Sequence, residues 1–271
     1  MSLIAVAAGK DTRGVTTTAL ALAAVWPRAR PVLLAECDPS GGSLAARFAM
    51  DTGRGLMTLA SAGRRQLEPD DIAAHTQVLP GGGVNVLLGA LRAEQAHALG
   101  RLWSSLAAAL AGLDADVIAD CGRLGPASSA EPVVRHADLV LLVCEPSPEG
   151  VLHLQGRIEA LAPLGVAPVV ALLGQEPYSA AAVQFALNLP AGGAQILGAI
   201  ARDATGAALL AGQTGPTSKL SRSLLIRSAR TLATTLIARL PAVDASDRGD
   251  VAADETGGTG EADAPTAQVT P

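Results

Sequence analysis

The sequence predicts an α/β protein, a doubly wound, mostly parallel sheet flanked by helices. Three observations carry that prediction. Short apolar runs rich in Val, Ile, Leu and Ala recur along the chain without polar alternation, as in parallel strands covered on both faces. Helical stretches separate these runs, which is the order of a βαβ chain. The first run also leads straight into Gly9-Lys10-Asp11-Thr12-Arg13-Gly14-Val15-Thr16, which fits G-x-x-x-x-G-K-[ST] everywhere except Val15, where a lysine belongs.

Taken in order, residues 2–8 read as a buried strand and 15–25 as a helix of good formers. A strand over 31–36 ends in Glu36-Cys37-Asp38-Pro39-Ser40-Gly41-Gly42. The glycine run 81–83 is a turn before a strand at 84–88, and a helical stretch fills 93–111. Residues 116–120 form a strand that closes on Asp120, and further strands follow at 138–144, 167–173 and 196–200. In such a sheet, sites gather at the carboxyl ends of the strands.

Composition narrows the function classes. The chain has 271 residues and is 49% apolar, yet holds no apolar run long enough to span a membrane. Its N-terminus shows neither the basic region nor the cleavage site of a signal peptide. Cys37, Cys121 and Cys144 form no C-x-x-C pair, and the four histidines show no metal spacing, so neither a disulfide framework nor zinc is indicated. Together these readings predict a cytoplasmic protein. The predicted organisation is one domain over 1–240 and a tail over 241–271. The tail holds seven acids against Arg248 alone, a net −6, so with the whole chain at −5 the body is close to neutral. Like charge and low hydrophobicity predict that the tail is disordered, and acidic lipid would repel it, so autonomous membrane binding is not expected.

The loop carries the chemistry. Backbone N–H groups and a helix N-terminus cradle phosphates, while the motif's lysine neutralises them and its hydroxyl residue binds magnesium. Here Gly9, Gly14 and Thr16 are kept and Val15 puts an isopropyl group where the charge belongs. Asp120 ends an apolar strand, where a nucleotide-binding protein holds its metal or water. Asp38, beside Glu36, ends the second strand in a position to approach a terminal phosphate. Each aspartate read singly is equally an ordinary cap of the following turn. Their order after the loop favours a site.

These segments resemble the MinD/ParA family of P-loop proteins. Its loop, K-G-G-x-G-K-[ST]-[ST], is similar to Lys10-Asp11-Thr12-Arg13-Gly14-Val15-Thr16-Thr17, with the family's signature lysine kept as Lys10. Its D-x-D-P segment is matched by Glu36-Cys37-Asp38-Pro39, and its D-[CT] strand end by Asp120-Cys121. Its A-D-x-V-L-V-V-x-x-P segment resembles residues 137–146, and its G-x-I-x-x-D segment residues 198–203, so the likeness covers about 1–240. The resemblance implies an ATP-dependent dimeric switch in which two subunits enclose two nucleotides. It implies that Gly9, Lys10, Arg13, Gly14, Val15, Thr16 and Thr17 line the nucleotide site, with Lys10 reaching the partner subunit's phosphates. Thr16 and Asp120 would hold Mg2+, and Asp38 and Asp120 would arrange metal and water. A protein partner would read the nucleotide state, and the cargo would be DNA, a division apparatus, or a pilus or secretion machine.

The departures from that pattern bear on the enzyme half. A cation about 4 Å from a phosphate has a Coulomb scale of about 4 kcal/mol at an effective dielectric near 20. Losing half of that weakens binding more than about tenfold. Asp11 adds negative charge and Thr12 adds a side chain where the family has glycine, while Arg13 is suited to compensate in part. Weak or absent ATP hydrolysis is therefore expected, with a pseudo-ATPase interaction scaffold as the alternative. Residues 217–240 carry Lys219, Arg222, Arg227, Arg230 and Arg239 without an acid, and Leu225, Ala229, Leu232, Leu236 and Leu240 make an apolar stripe. This segment reads either as a solvated helix covering the sheet or as a non-specific DNA patch.

Overall fold

The computed structural model describes residues 1–240 except 10–13, 28, 30, 62–65, 82, 188–193 and 214–216. The predicted tail, 241–271, lies outside the described residues, as do Lys10 and Arg13. The described residues form eight strands: β1 (Leu3–Ala8), β2 (Val32–Glu36), β3 (Gln77–Val78), β4 (Asn85–Leu87), β5 (Asp116–Arg123), β6 (Leu139–Cys144), β7 (Val169–Leu173) and β8 (Gln195–Ile200). They form one sheet in the order β3-β4-β2-β5-β1-β6-β7-β8. All neighbours are parallel except the β3–β4 hairpin at one edge. The doubly wound, mostly parallel sheet predicted from the sequence is what the chain forms.

The first half contributes helices α1 (Val15–Val25), α2 (Leu44–Phe48), α3 (Leu56–Ser61), α4 (Pro69–His75), α5 (Ala93–Ala98) and α6 (Leu102–Ala111). The second half adds α7 (Glu131–His136), α8 (Pro148–Leu161), α9 (Ala180–Leu187), α10 (Ala204–Leu210), α11 (Thr217–Arg222) and α12 (Leu224–Ile237). Side-chain alternation along β1 divides the core between the two sheet faces. Leu3, Ala5 and Ala7 join Leu106, Val133 and Leu154 on one face, and Ile4, Val6 and Ala8 join Leu20, Leu225 and Leu232 on the other. Both faces of β1 are buried along its whole length, which is why its sequence shows no polar alternation.

Two expected helices are broken. The stretch 93–111 divides at Gly100, which takes a left-handed φ of 49° between α5 and α6. The final basic stretch divides at Ser223, whose hydroxyl accepts from the Ile226 amide and starts α12 afresh. Within α12 the apolar stripe is buried as read, while Arg227 and Arg230 face outward.

Candidate functional site

The site is assembled at the carboxyl edge of the sheet, where β1 gives way to α1. Gly14 precedes α1 with φ 122°, a conformation L side chains rarely adopt, and a Cβ there would meet Leu173 Cδ1 at 3.0 Å. Gly9 lies under α8, where a Cβ would come within 3.0 Å of the His153 carbonyl oxygen. Both glycines of the motif are thus required by close packing. No side chain caps α1 and its first turn holds no acid, so its leading amides are open to an anion. Val15 is buried, at 6% exposure, in the apolar cluster that also holds Ala8 and Leu20.

Three carboxylates follow at the ends of β2 and β5, and their environments differ. Glu36 is buried and saturated: it accepts from the amides of Ser43 (2.5 Å), Leu44 (2.9 Å) and Gly89 (3.0 Å). It fastens the start of α2 and the loop after β4, and a Cβ on Gly42 would run into it. Its role is structural, which the sequence did not reveal. Asp38 is half-buried, accepts from the Ser40 amide at 2.8 Å, and is pushed up in pKa chiefly by burial. Its carboxyl lies against Gly122, which adopts φ 55° and has no room for a Cβ.

Asp120 is 1% exposed. Its Oδ1 accepts from the Gly122 amide at 3.1 Å, whereas Oδ2 is buried without a hydrogen-bond partner among the described residues. Its pKa is raised to about 7, chiefly by burial with smaller contributions from the charges of Asp38 and Glu36, against the lowering effect of the Thr16 hydroxyl and the Gly122 amide. A buried carboxylate oxygen with an open lone pair, a hydroxyl alongside and two acids in range is a donor set that fits a hard cation. Among the described residues no group of three or more His, Cys, Asp or Glu is arranged to hold a metal. The Asp120 carboxyl and the Thr16 hydroxyl would be the protein's share of the ligands of a Mg2+ ion, which retains waters and takes phosphate oxygens.

Beside the loop lies a cleft of about 410 Å3. Leu173, Ile200 and Leu225 supply its apolar wall, Gly14, Thr17 and Thr18 its floor, and Glu145, Arg202 and Asp203 its polar part. Arg202 pairs with Glu145 at 2.6 Å and donates from Nε to the Leu173 carbonyl at 3.2 Å, tying together the ends of β6, β7 and β8. Glu145, Ile200, Arg202 and Asp203 fall in the two late segments that resemble the family, and Leu225 in the apolar stripe, but no role in a cleft was read for them from the sequence.

The structure therefore brings Gly9, Gly14, Thr16, Thr17, Asp38 and Asp120 to one edge, buries Val15, and does not describe Lys10 or Arg13. The three cysteines are free and buried. Burial raises the thiol pKa of Cys144 to about 12 and takes those of Cys37 and Cys121 further above the ordinary thiol range. No helix among the described residues is long and apolar enough to cross a membrane.

A glycine-bearing loop between a central strand and a helix, facing strand-end aspartates, defines the P-loop class of α/β proteins. Solved structures narrow the class. A ParA family ATPase from Chlorobium tepidum TLS superposes with a TM-score of 0.69 at 16% identity, covering 86% of this chain and 98% of its own. The septum site-determining protein MinD from Pyrococcus horikoshii OT3, complexed with Mg-ADP, gives 0.65 at 19% identity, over 86% and 94%. A plasmid partition protein from Borrelia burgdorferi B31 bound to AMPPNP gives 0.63 at 13%, over 88% and 99%. No family model matches the sequence, and no curated protein is similar to it. The chain has the MinD/ParA type of P-loop fold.

Proposed function

We propose that this chain is a nucleotide-responsive switch protein that positions or assembles a partner machine, and that it binds a magnesium nucleotide while hydrolysing it weakly or not at all. The observation that carries this reading is the buried, unpartnered Oδ2 of Asp120 beside Thr16. Thr16 and Asp120 hold the magnesium, and Asp38 orients water. Gly9, Gly14 and the backbone of Val15, Thr16 and Thr17 cradle the phosphates, with Lys10 and Arg13 contributing charge. The cleft walled by Leu173 and Ile200 accepts the base. Neighbours of the same fold that carry Mg-ADP and AMPPNP support a nucleotide here. Weak hydrolysis follows from Val15, because a buried isopropyl group cannot stabilise charge developing on the transferred phosphoryl. The protein acts as a homodimer whose nucleotide state a protein partner reads, in chromosome partitioning or in pilus or secretion assembly.

Calorimetric titration with ATP and ADP in magnesium tests the reading. Binding by the wild type, strengthened about tenfold in Val15→Lys, is the expected result. Silence in both proteins would leave only the scaffold alternative.

A second reading rests on the outward face of α12. Its buried stripe leaves Arg227 and Arg230 exposed next to Thr231 and Thr234, a surface suited to DNA phosphates. Binding to random-sequence duplex that weakens steeply with salt, and falls in Arg227→Ala/Arg230→Ala, is its test.

A further inference from the structure

Two arginines outside the motif converge on the start of the loop. Arg123 is the last residue of β5 and pairs in register with Ala8, past an irregularity between Val6 and Ala8. The following amide, of Leu124, donates to the Ala8 carbonyl at 2.9 Å and fixes that end of the strand. From the other side α8 lies directly over Gly9, where a Cβ would be 3.3 Å from Arg157 Cβ. Ala8 and Gly9 are the two residues that lead into the loop, so both arginines are rooted beside its start.

Burial, and then the charge of Arg123, hold the Arg157 pKa below the ordinary guanidinium value. Arg157 Nε is buried without a hydrogen-bond partner among the described residues. An unmade donor near a like charge lowers stability, and an apolar side chain of similar length would cover the same surface without that penalty. An anion at this point would satisfy the donor and offset the repulsion between the two groups. Guanidinium is also the side chain whose planar donor fork matches phosphate oxygens.

We propose that Arg123 and Arg157 form a phosphate clamp at the mouth of the loop, supplying to the terminal phosphates of the bound nucleotide the positive charge that Val15 withholds. The clamp rests on the nucleotide reading given above. It restores from β5 and α8 a charge the motif places on α1. The loop's apolar substitution and the arginine pair are then two halves of one arrangement.

The test is calorimetry of the full chain with magnesium and ATP, ADP or AMP. The proteins are wild type, Arg123→Ala, Arg157→Ala, Arg157→Gln, Arg157→Lys and Arg157→Ala/Val15→Lys, each melted without ligand as a check on folding. The clamp predicts that Arg157→Ala and Arg157→Gln weaken ATP and ADP by about tenfold or more while AMP changes less than about twofold. Arg123→Ala weakens ATP in the same direction, Arg157→Lys falls between, and adding Val15→Lys to Arg157→Ala restores ATP affinity. Melting temperatures of the Arg157 variants stay level or rise. Wild-type binding with unchanged ATP affinity in the alanine variants would overturn the clamp and leave the nucleotide reading standing. Equal losses for ATP and AMP, or a lowered melting temperature, would make Arg157 structural and overturn it as well. Silence of the wild type toward all three nucleotides would overturn the nucleotide reading, and the clamp with it.

Discussion

Strand β5 carries two buried aspartates, one at its amino end and one in its middle, and the protein treats them in opposite ways. At the amino end Asp116 accepts from the Ser2 amide at 3.0 Å and from Trp26 Nε1 at 2.9 Å, so both carboxyl oxygens are occupied. Three residues before the last, Asp120 has one oxygen on the Gly122 amide and the other without a hydrogen bond among the described residues. Five residues on one strand thus contain a carboxylate completed by the protein and one left incomplete. Completion turns a buried charge into a fastening between β1, α1 and β5. Incompletion leaves a desolvated carboxyl that a bound cation would satisfy.

Substitutions sharpen this contrast. The largest effect is expected for Asp116→Ala, which strands the Ser2 amide and the Trp26 indole in the core and costs about 3–5 kcal/mol in urea unfolding. Nucleotide affinity of the folded fraction should not change. Next comes Gly122→Ala, which forces a side chain onto φ 55° and into the Asp38 carboxyl. A loss of about 2–3 kcal/mol is expected in the same assay, together with lost nucleotide affinity because Asp38 is displaced.

Asp120→Asn should move stability the other way. With a folded pKa near 7 and an unfolded value of 3.8, the native state binds more protons between those limits, so wild-type stability falls as pH rises through that window. At pH 8 the full penalty is present, and Asp120→Asn should be more stable than wild type by about 1–3 kcal/mol. The gain shrinks as pH falls toward 4, and melting curves across that range check the sign.

Much of this site was legible in the sequence because its backbone-determining residues are local. Gly9 and Gly14 announce a turn with close approach, and the strand before and helix after them follow from apolar runs. Asp120 was marked by a charge ending an uncharged strand. What stayed hidden depends on distant chain segments. The saturation of Glu36 requires amides at Ser43, Leu44 and Gly89, and no spacing rule connects the last of these to position 36. Arg157 lies in the middle of α8, and its relation to Gly9 exists only once that helix packs across the strand end. The cleft is similar, since Leu173, Ile200 and Arg202 meet only because β6, β7 and β8 are neighbours. The antiparallel edge strand β3 was missed because two residues show no periodicity. The break at Gly100 was missed because apolar periodicity outweighed a single glycine.

Thermal unfolding at pH 8 of wild type and Asp120→Asn, each with and without ADP and magnesium, probes the incomplete aspartate of β5 most directly. A magnesium nucleotide site predicts that the wild type melts lower alone and is raised by magnesium with ADP, whereas Asp120→Asn starts higher and gains little from the ligand. A lower melting temperature for Asp120→Asn without ligand, or an equal rise in both proteins, would contradict it and make Asp120 a structural residue like Asp116.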